Sequence, residues 1–184
     1  KAGAGTLTLS GDNTFTGATT VSAGVLAISH ADSLGTTDGA TTVASGAALN
    51  ISGGITTAAE GITISGTGVS SSGALHNASG SHTITNQLTL AADSSIAVDT
   101  SGQTLTLTNG ITGSNYVLTK SGAGNLSLGT TASSSVKGLT YGGGGTFTGD
   151  VSVGSSGLAI SGNGSAVSGK MTVGAASTWA QGSS

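Results

Sequence analysis

The sequence has no cysteine and no proline, and because its four basic residues are all lysines it has no arginine either. A chain without cysteine avoids mispairing in an oxidising compartment, which is compatible with export. Phosphate recognition relies on clustered positive charge or on guanidinium groups that bind two oxygens at once. The lysines lie far apart along the chain, at Lys1, Lys120, Lys137 and Lys170. These absences argue against a nucleic-acid partner.

Long apolar runs are also missing. No stretch approaches the roughly 18 consecutive apolar residues of a membrane-spanning helix, and no charged start followed by an apolar segment marks a signal peptide. We therefore expect no direct insertion into a membrane. Because the chain starts with Lys1 rather than methionine, we expect residues 1–184 to be one segment of a longer protein.

Aromatic residues make up only 3% of the chain, whereas glycine is abundant, with 34 residues. The formal net charge is −3 and 35% of the residues are hydrophobic, which favours a packed structure over disorder. With so few large rings, the core has to be built from Leu, Ile, Val and Ala. Such residues suit a thin, layered core.

The dominant pattern is a short alternation of an aliphatic residue with a small or polar one, separated by turns rich in Gly, Ser, Thr, Asn and Asp. A period of two predicts strands with one buried face, and the frequent glycines leave no room for helices. The alternating triplets are Leu7-Thr8-Leu9, Leu26-Ala27-Ile28, Leu49-Asn50-Ile51, Ile62-Thr63-Ile64, Leu88-Thr89-Leu90, Ile96-Ala97-Val98, Leu105-Thr106-Leu107, Leu126-Ser127-Leu128 and Leu158-Ala159-Ile160. The sequence predicts an all-β chain.

An internal repeat indicates how these strands are arranged. Residues 1–9 return as residues 120–128, while residues 15–17 return as 147–149 and residues 26–29 return as 158–161. The later blocks are spaced further apart, and the extra residues predict an inserted loop at 131–143. Repeats that tolerate an insertion behave as stacked coils, each contacting only its neighbours. This organisation predicts a β-solenoid in which equivalent strands stack at about 4.8 Å.

The segment from Leu118 to Leu128 reads LTKSGAGNLSL and resembles the autotransporter-associated β-strand repeat, whose pattern is roughly LTKxGxGxLxLSGxNTYTGxTxVxxGxL. Residues 1–35 follow that pattern most fully, with Phe15 where it has tyrosine. Residues 110–161 follow it in part, and the middle of the chain follows it only in alternation and composition. The prediction is therefore least specific for residues 66–100.

The resemblance implies a right-handed parallel β-helix and export to the cell surface or beyond. It also implies a role in adhesion, aggregation or display, with the chain itself or surface glycans as partners. We expect a non-enzymatic stalk that offers a long face for weak, multivalent contacts and that self-associates end to end into filaments. A phage or virion fibre segment and a carbohydrate-active β-helix enzyme are the alternatives.

No group of residues in the sequence predicts a catalytic, cofactor or metal site. Ser29, His30 and Asp32 are triad residue types, but neighbours at a strand exit point different ways, whereas a triad assembles from distant segments. The three histidines, His30, His76 and His82, show no ligand spacing and are expected at exposed positions. The acidic residues are scattered, at Asp12, Asp32, Asp38, Glu60, Asp93, Asp99 and Asp150.

Two further motifs are explained by ordinary structural roles. Gly142 to Gly145 followed by Asp150 is one imperfect copy of a calcium-binding repeat, so a flexible loop is expected there. Thr-x-Thr pairs recur at residues 6/8, 14/16, 83/85, 104/106 and 146/148. A regular array of such pairs is how some β-solenoids bind ice, but the irregular spacing argues for ordinary strand propensity on an outer face.

Overall fold

A computed structural model describes residues 1–129, 134–144 and 146–148, and beyond them the backbone of four further strands. The elements are almost all strands, as the alternation predicted. Their bounds are β1 Thr6–Leu9, β2 Thr19–Val21, β3 Gly24–Ile28, β4 Ala40–Val43, β5 Ala47–Ile51, β6 Gly61–Gly66, β7 Leu75–Asn77, β8 His82–Ile84, β9 Leu88–Val98, β10 Thr104–Leu107, β11 Ile111–Ser121, β12 Asn125–Leu128, β13 Ser134–Tyr141, β14 Thr146–Thr148, β15 Val151–Ile160, β16 Ala166–Ser168, β17 Met171–Val173 and β18 Trp179–Gln181. A 3₁₀ turn at Val69–Ser71 lies between β6 and β7.

The strands stack in three parallel columns, which we call sides A, B and C. Side A is the stack β1-β3-β5-β7, continued by the second halves of β9, β11, β13 and β15 and then by β18. Side B runs through β2, β4 and β6, then through the first halves of the same long strands to β17. Side C is the five-stranded stack β8-β10-β12-β14-β16. From β6 to β16 the chain passes from B to A to C in each coil, and the all-β parallel β-helix is confirmed.

The core lies between the three sides and is built by residues that repeat one above another. On side A, Leu26 pairs with Leu49, Leu49 with Leu75 and Leu75 with Ile96, and all four are 0% exposed. Because parallel coils stay in register, each inward position meets the equivalent position of its neighbours. The result is ladders of mainly aliphatic side chains, and larger fully buried side chains enter them at Lys120, Tyr141 and Phe147.

The middle of the chain follows the same coils. Strand β9 crosses from side B to side A within residues 66–100, pairing first with β6 and then with β7. The register shifts at Gly66, where the corner takes up extra residues. The structure thus shows that residues 66–100, for which the sequence prediction was least specific, belong to the stack.

The predicted inserted loop at 131–143 is wrong for residues 134–141. These residues form β13, which pairs with β11 on one side and β15 on the other. Val136, Leu139 and Tyr141 are buried, which makes the segment a rung of the core; residues 131–133 lie outside the described part of the chain. The alternation is hidden in the sequence because Lys137 and Gly138 interrupt it at the corner.

The two copies of the repeat also occupy different places in the coil. The first copy places Leu7 on side A, paired with Leu26, while the second places Leu126 on side C, paired with Leu105 and Phe147. Leu126 is 0% exposed, but Leu7 is 45% exposed, so the prediction that Leu7 is enclosed in the core is wrong. Among the described residues, no strand pairs with β1 on the side away from β3.

This difference gives a matched pair of variants. Leu126→Ala leaves a cavity in a closed ladder and is expected to lower the free energy of unfolding by roughly 2–5 kcal/mol. Leu7→Ala, at the equivalent repeat position, removes mainly exposed surface and is expected to cost much less. Urea unfolding of both variants measures the difference, and equal losses would contradict the ladder assignment.

Candidate contact surface

Side C presents an in-register set of outward polar side chains, seven hydroxyl groups and one amide. Leucines at positions 105 and 107 point inward, so the alternation turns Thr104 and Thr106 outward. In-register pairing places Thr83, Thr106, Ser127 and Thr148 in one line along the coil axis. The next outward position forms a parallel line of Ser81, Thr104, Asn125 and Thr146. We call these eight residues the hydroxyl grid.

Side-chain hydrogen bonds order the second line of the grid. The Asn125 amide Nδ2 donates to Thr104 Oγ1 at 3.2 Å, and Asn125 Oδ1 accepts from Thr146 Oγ1 at 3.0 Å. Ser81 Oγ accepts from the Thr104 amide at 3.0 Å. Each bond joins one coil to the next, so the grid spacing is held by side chains as well as by the sheet.

Side B carries a second, single line of outward hydroxyls. Its described members follow the register from coil to coil: Thr20, Thr42, Thr63, Thr89, Thr112 and Ser135. Successive members lie about one strand spacing apart, roughly 4.8 Å. The irregular spacing of threonine in the sequence is therefore absorbed by the corners, and along the coil axis the hydroxyls are regular.

The grid has no charged member and no aromatic member. Hydroxyl and amide groups both donate and accept hydrogen bonds, so the surface complements a neutral partner that also offers donors and acceptors. Threonine is stiff at its first side-chain torsion, which limits the entropy lost when such a surface binds. The grid combines two neighbouring lines of polar groups, whereas the hydroxyls described on side B form one.

His30 and Asp32, two of the triad residue types near position 30, make local turn contacts. The His30 Nδ1 accepts a hydrogen bond from the Asp32 amide at 3.2 Å, and the Ser33 hydroxyl accepts one from the His30 amide at 3.0 Å. The ring therefore stabilises a turn at the end of β3. Its side chain and that of Asp32 are 45% and 44% exposed.

The other two histidines lie in separate environments. His82 is 2% exposed, so its expected exposed position is wrong: its Nδ1 accepts from the Ile55 amide at 3.0 Å and its Nε2 lies 2.7 Å from the Ser79 carbonyl. His76 pairs with the Asp99 carboxylate at 2.7 Å. No group of three His, Cys, Asp or Glu residues that suits a metal ion occurs in the described part of the chain.

The carboxylates of the described residues serve individual structural contacts. Asp93 accepts a hydrogen bond from the Val117 amide at 2.8 Å at the corner where β11 turns from side B to side A. Glu60 is 3% exposed and accepts a bond from the Thr41 hydroxyl at 2.6 Å. Burial raises the pKa of Glu60 above its ordinary value, and the Thr41 bond opposes part of that rise.

The glycine run has a structural role where it is described. Gly142 donates its amide to the Lys120 carbonyl at 2.8 Å, and Gly143 stacks on Gly122 with a φ of +83°. A Cβ at Gly143 would lie 2.3 Å from the Gly122 carbonyl oxygen, so only glycine fits. The expected flexible loop is instead a stacked corner over these residues; Gly145 and Asp150 lie outside the described part of the chain.

Sequence reasoning found the strands of the grid but missed the grid itself. The signal was present in the Leu-x-Leu triplets, because the central residue of each triplet must face outward. Aligning Leu105-Thr106-Leu107 with Leu126-Ser127-Leu128 gives the central line directly. Counting residues between threonines obscured it, since corner lengths differ from coil to coil.

Comparison with known proteins gives one match. Residues 1–28 match the family model of the passenger-associated transport repeat, and this stretch contains β1, β2 and β3. The resemblance of the N-terminal stretch to a passenger repeat is thereby confirmed. Neither the curated proteins nor the solved structures yield a match to this chain. No helix in the described residues is both long and apolar enough to span a bilayer.

The buried Glu60 predicts how the free energy of unfolding changes with pH. Because its folded-state pKa is raised, the folded protein holds the proton to higher pH than the unfolded chain does. Its contribution to stability is present below pH 4.5, the ordinary value, and is lost as pH rises through the folded-state pKa. Glu60→Gln is expected to remove this loss and flatten the pH profile of urea unfolding. An unchanged profile, with exposed Asp12→Asn as the control, would contradict the assignment.

Proposed function

We propose that this chain is a non-enzymatic, rigid β-solenoid segment from the passenger of a secreted or surface protein of bacteria. The observation that carries the proposal is the match of residues 1–28 to a passenger-associated transport repeat. The matched strands are continuous with the rest of the chain, because the stack that starts with β1 and β3 runs in register to β18. The passenger assignment therefore extends naturally from the matched stretch to the whole stack.

The contact function of this segment is assigned to the hydroxyl grid. Each hydroxyl contributes little alone, but a line of equivalent groups binds a repeating partner through many weak contacts at once. A neutral partner with regularly spaced hydroxyl groups, such as a surface polysaccharide, has the matching chemistry. The absence of charge in the grid disfavours acidic or basic partners, since a charge buried against it would stay unpaired.

The grid is tested by removing hydroxyls while keeping side-chain shape. Replacing Thr83, Thr106 and Thr148 together by valine is expected to weaken binding to immobilised neutral polysaccharides by at least about tenfold, because several contacts are lost together. The control replaces Thr8, Thr119 and Thr140, outward threonines on side A, by valine. Polysaccharide binding that is absent in the parent chain, or equal in both variants, would contradict the glycan assignment.

Ice is the second candidate partner, and the regular spacing of hydroxyls along the coil axis favours it. Irregular spacing of threonine in the sequence argued against ice binding, but the spacing along the coil axis is regular. An assay of ice recrystallisation inhibition on the same chains distinguishes the two partners. Inhibition by the parent chain that is lost in Thr106→Lys indicates ice binding. Absence of inhibition by the parent chain excludes ice as the partner.

Axial self-association is the remaining part of the proposal. The edge of β1 that faces away from β3 offers backbone N–H and C=O groups, together with Leu7 at 45% exposure and Phe15 at 40% exposure. An unpaired strand edge beside apolar side chains is a template for a further parallel strand. A coil from the same chain or from a second copy satisfies the same groups.

Two substitutions within β1 test this edge in the 184-residue chain. Leu7→Lys places a charge on the inward position, where the next coil would stack, and is expected to reduce axial oligomers. Thr8→Lys places the same charge on the outward position of that strand and is expected to leave them. Sedimentation velocity measures both, and a parent chain that stays monomeric at high concentration would rule out axial assembly of this segment.

A further inference from the structure

A lysine lies at an inward position of the aliphatic ladder on side A. Lys120 pairs with Ile96 of the preceding coil and with Tyr141 of the following one, and it is 0% exposed. Its ammonium group is surrounded by backbone carbonyls: Nζ donates to Gly122 O at 2.7 Å, to Gly144 O at 2.9 Å and also to Gly124 O. Two of these carbonyls belong to its own corner and the third belongs to the next coil.

Lys1 makes the same set of bonds in the first copy of the repeat. Its Nζ donates to Gly3 O at 2.6 Å, to Gly5 O at 2.5 Å and to Ala23 O at 2.7 Å. The spacing is the same in both copies, with acceptors two and four residues after the lysine and a third in the next coil. The shared sequence is Lys-x-Gly-x-Gly, a lysine followed by glycines at those two positions.

The two lysines hold different corners of the coil. Lys1 pairs with the strand of side B through Thr20 O and the Ser22 amide, and its corner leads to β1 on side A. Lys120 ends a side A segment, and its corner leads to β12 on side C. Because the same contacts form at two unrelated corners, the sequence motif determines them and the position in the coil does not.

Glycine is required for the carbonyls to converge. Gly122 has a φ of +82°, and a Cβ there would lie 2.3 Å from the Val98 carbonyl oxygen of the coil below. In the first copy, Gly24 of the next coil lies close to the cradle, since a Cβ at Gly24 would lie 2.5 Å from both Gly5 O and Lys1 Nζ. A larger residue at Gly122 or Gly24 would displace these neighbouring groups, whereas a Cβ at Gly3 or Gly5 would meet no atom within 4 Å.

The charge of Lys120 is balanced by dipoles rather than by an acid. No salt bridge joins a lysine to a carboxylate among the described residues. The Tyr141 ring covers the cradle, with its centroid 4.8 Å from Nζ, and Phe147 packs edge-on against that ring. An ammonium group with several carbonyl acceptors and an aromatic face is a typical arrangement for a cation site.

We propose that each Lys-x-Gly-x-Gly segment is a cation site whose ligand is the chain's own lysine ammonium group, which fastens one coil to the next. When the side chain is cut back, the cradle formed by the carbonyls of Gly122, Gly124 and Gly144 takes a small free ammonium ion in its place. The site selects ammonium because three carbonyl acceptors match its N–H donors, and a fully alkylated cation has none to offer.

Burial opposes the charge and sets a pH dependence. It lowers the pKa of Lys120 to about 8, so the ammonium form still dominates at neutral pH. The folded state then releases this proton at lower pH than the unfolded chain, whose lysine has the ordinary value of 10.5. The contribution of Lys120 to stability therefore rises as pH increases from about 8 towards 10.5. Among the described residues, the titratable side chain that faces the ammonium group is Tyr141, and burial raises its pKa to about 12.

The direct test observes the ammonium group in the parent chain. In nitrogen-edited NMR spectra near pH 6, a hydrogen-bonded, buried NH₃⁺ group exchanges slowly with water and gives a resolved signal. One such signal is expected to vanish in Lys120→Met and to persist in Lys137→Met, because Lys137 is exposed. Absence of a slowly exchanging signal in the parent chain would overturn the proposal without requiring any variant to fold.

The second test supplies the missing cation. Lys120→Ala is expected to unfold at lower urea concentration than the parent, and ammonium chloride is expected to restore part of that loss relative to tetramethylammonium chloride at equal ionic strength. The parent chain and Lys137→Ala are expected to respond equally to both salts. An equal response of Lys120→Ala, or a Lys120→Met chain more stable than the parent, would show that the ladder position prefers an apolar side chain and that no cation site exists.

Discussion

The constraint on which the structure depends is the in-register pairing of parallel coils. Each strand inside the stack pairs with an equivalent strand above and below, so a residue at one register position meets the same position in the neighbouring coils. Inward positions must then form ladders of like shape, as Leu26, Leu49 and Leu75 do on side A. Outward positions form ladders as well, and the hydroxyl lines of sides B and C are the same constraint expressed on the surface.

Differences in the number of residues per coil occur at the corners, because the strands must keep their register. Between Leu26 and Leu49 the chain needs fewer residues than between Leu49 and Leu75, where the 3₁₀ turn Val69–Ser71 adds length at the corner. Polar side chains complete these irregular corners from within: His82 bridges the Ile55 amide and the Ser79 carbonyl, and Glu60 holds Thr41. Among the described residues, the buried His82 and Glu60 therefore serve structural contacts.

Local alternation predicts strands and their buried face well, because in a triplet such as Leu105-Thr106-Leu107 both facts follow from a period of two. It predicts the pairing of strands poorly. The sequence repeat aligned Leu7 with Leu126, but the register of the coil places them on different sides. The same alignment predicted a loop where β13 lies, because Lys137 and Gly138 break the alternation at the point where the strand bends. The hydroxyl grid follows from the triplets only once their register is known, and the third carbonyl of each lysine cradle comes from the neighbouring coil.

The register of β13 against β11 is the most direct test of the in-register stack. Nuclear Overhauser contacts in the labelled 184-residue chain report which residues of adjacent coils are in contact. The stacked arrangement predicts contacts between Thr112 and Ser135 on side B and between Leu118 and Leu139 on side A. Absence of both contacts, together with rapid amide exchange through residues 134–141, would contradict the in-register stack on which the ladders, the grid and the cradles all depend.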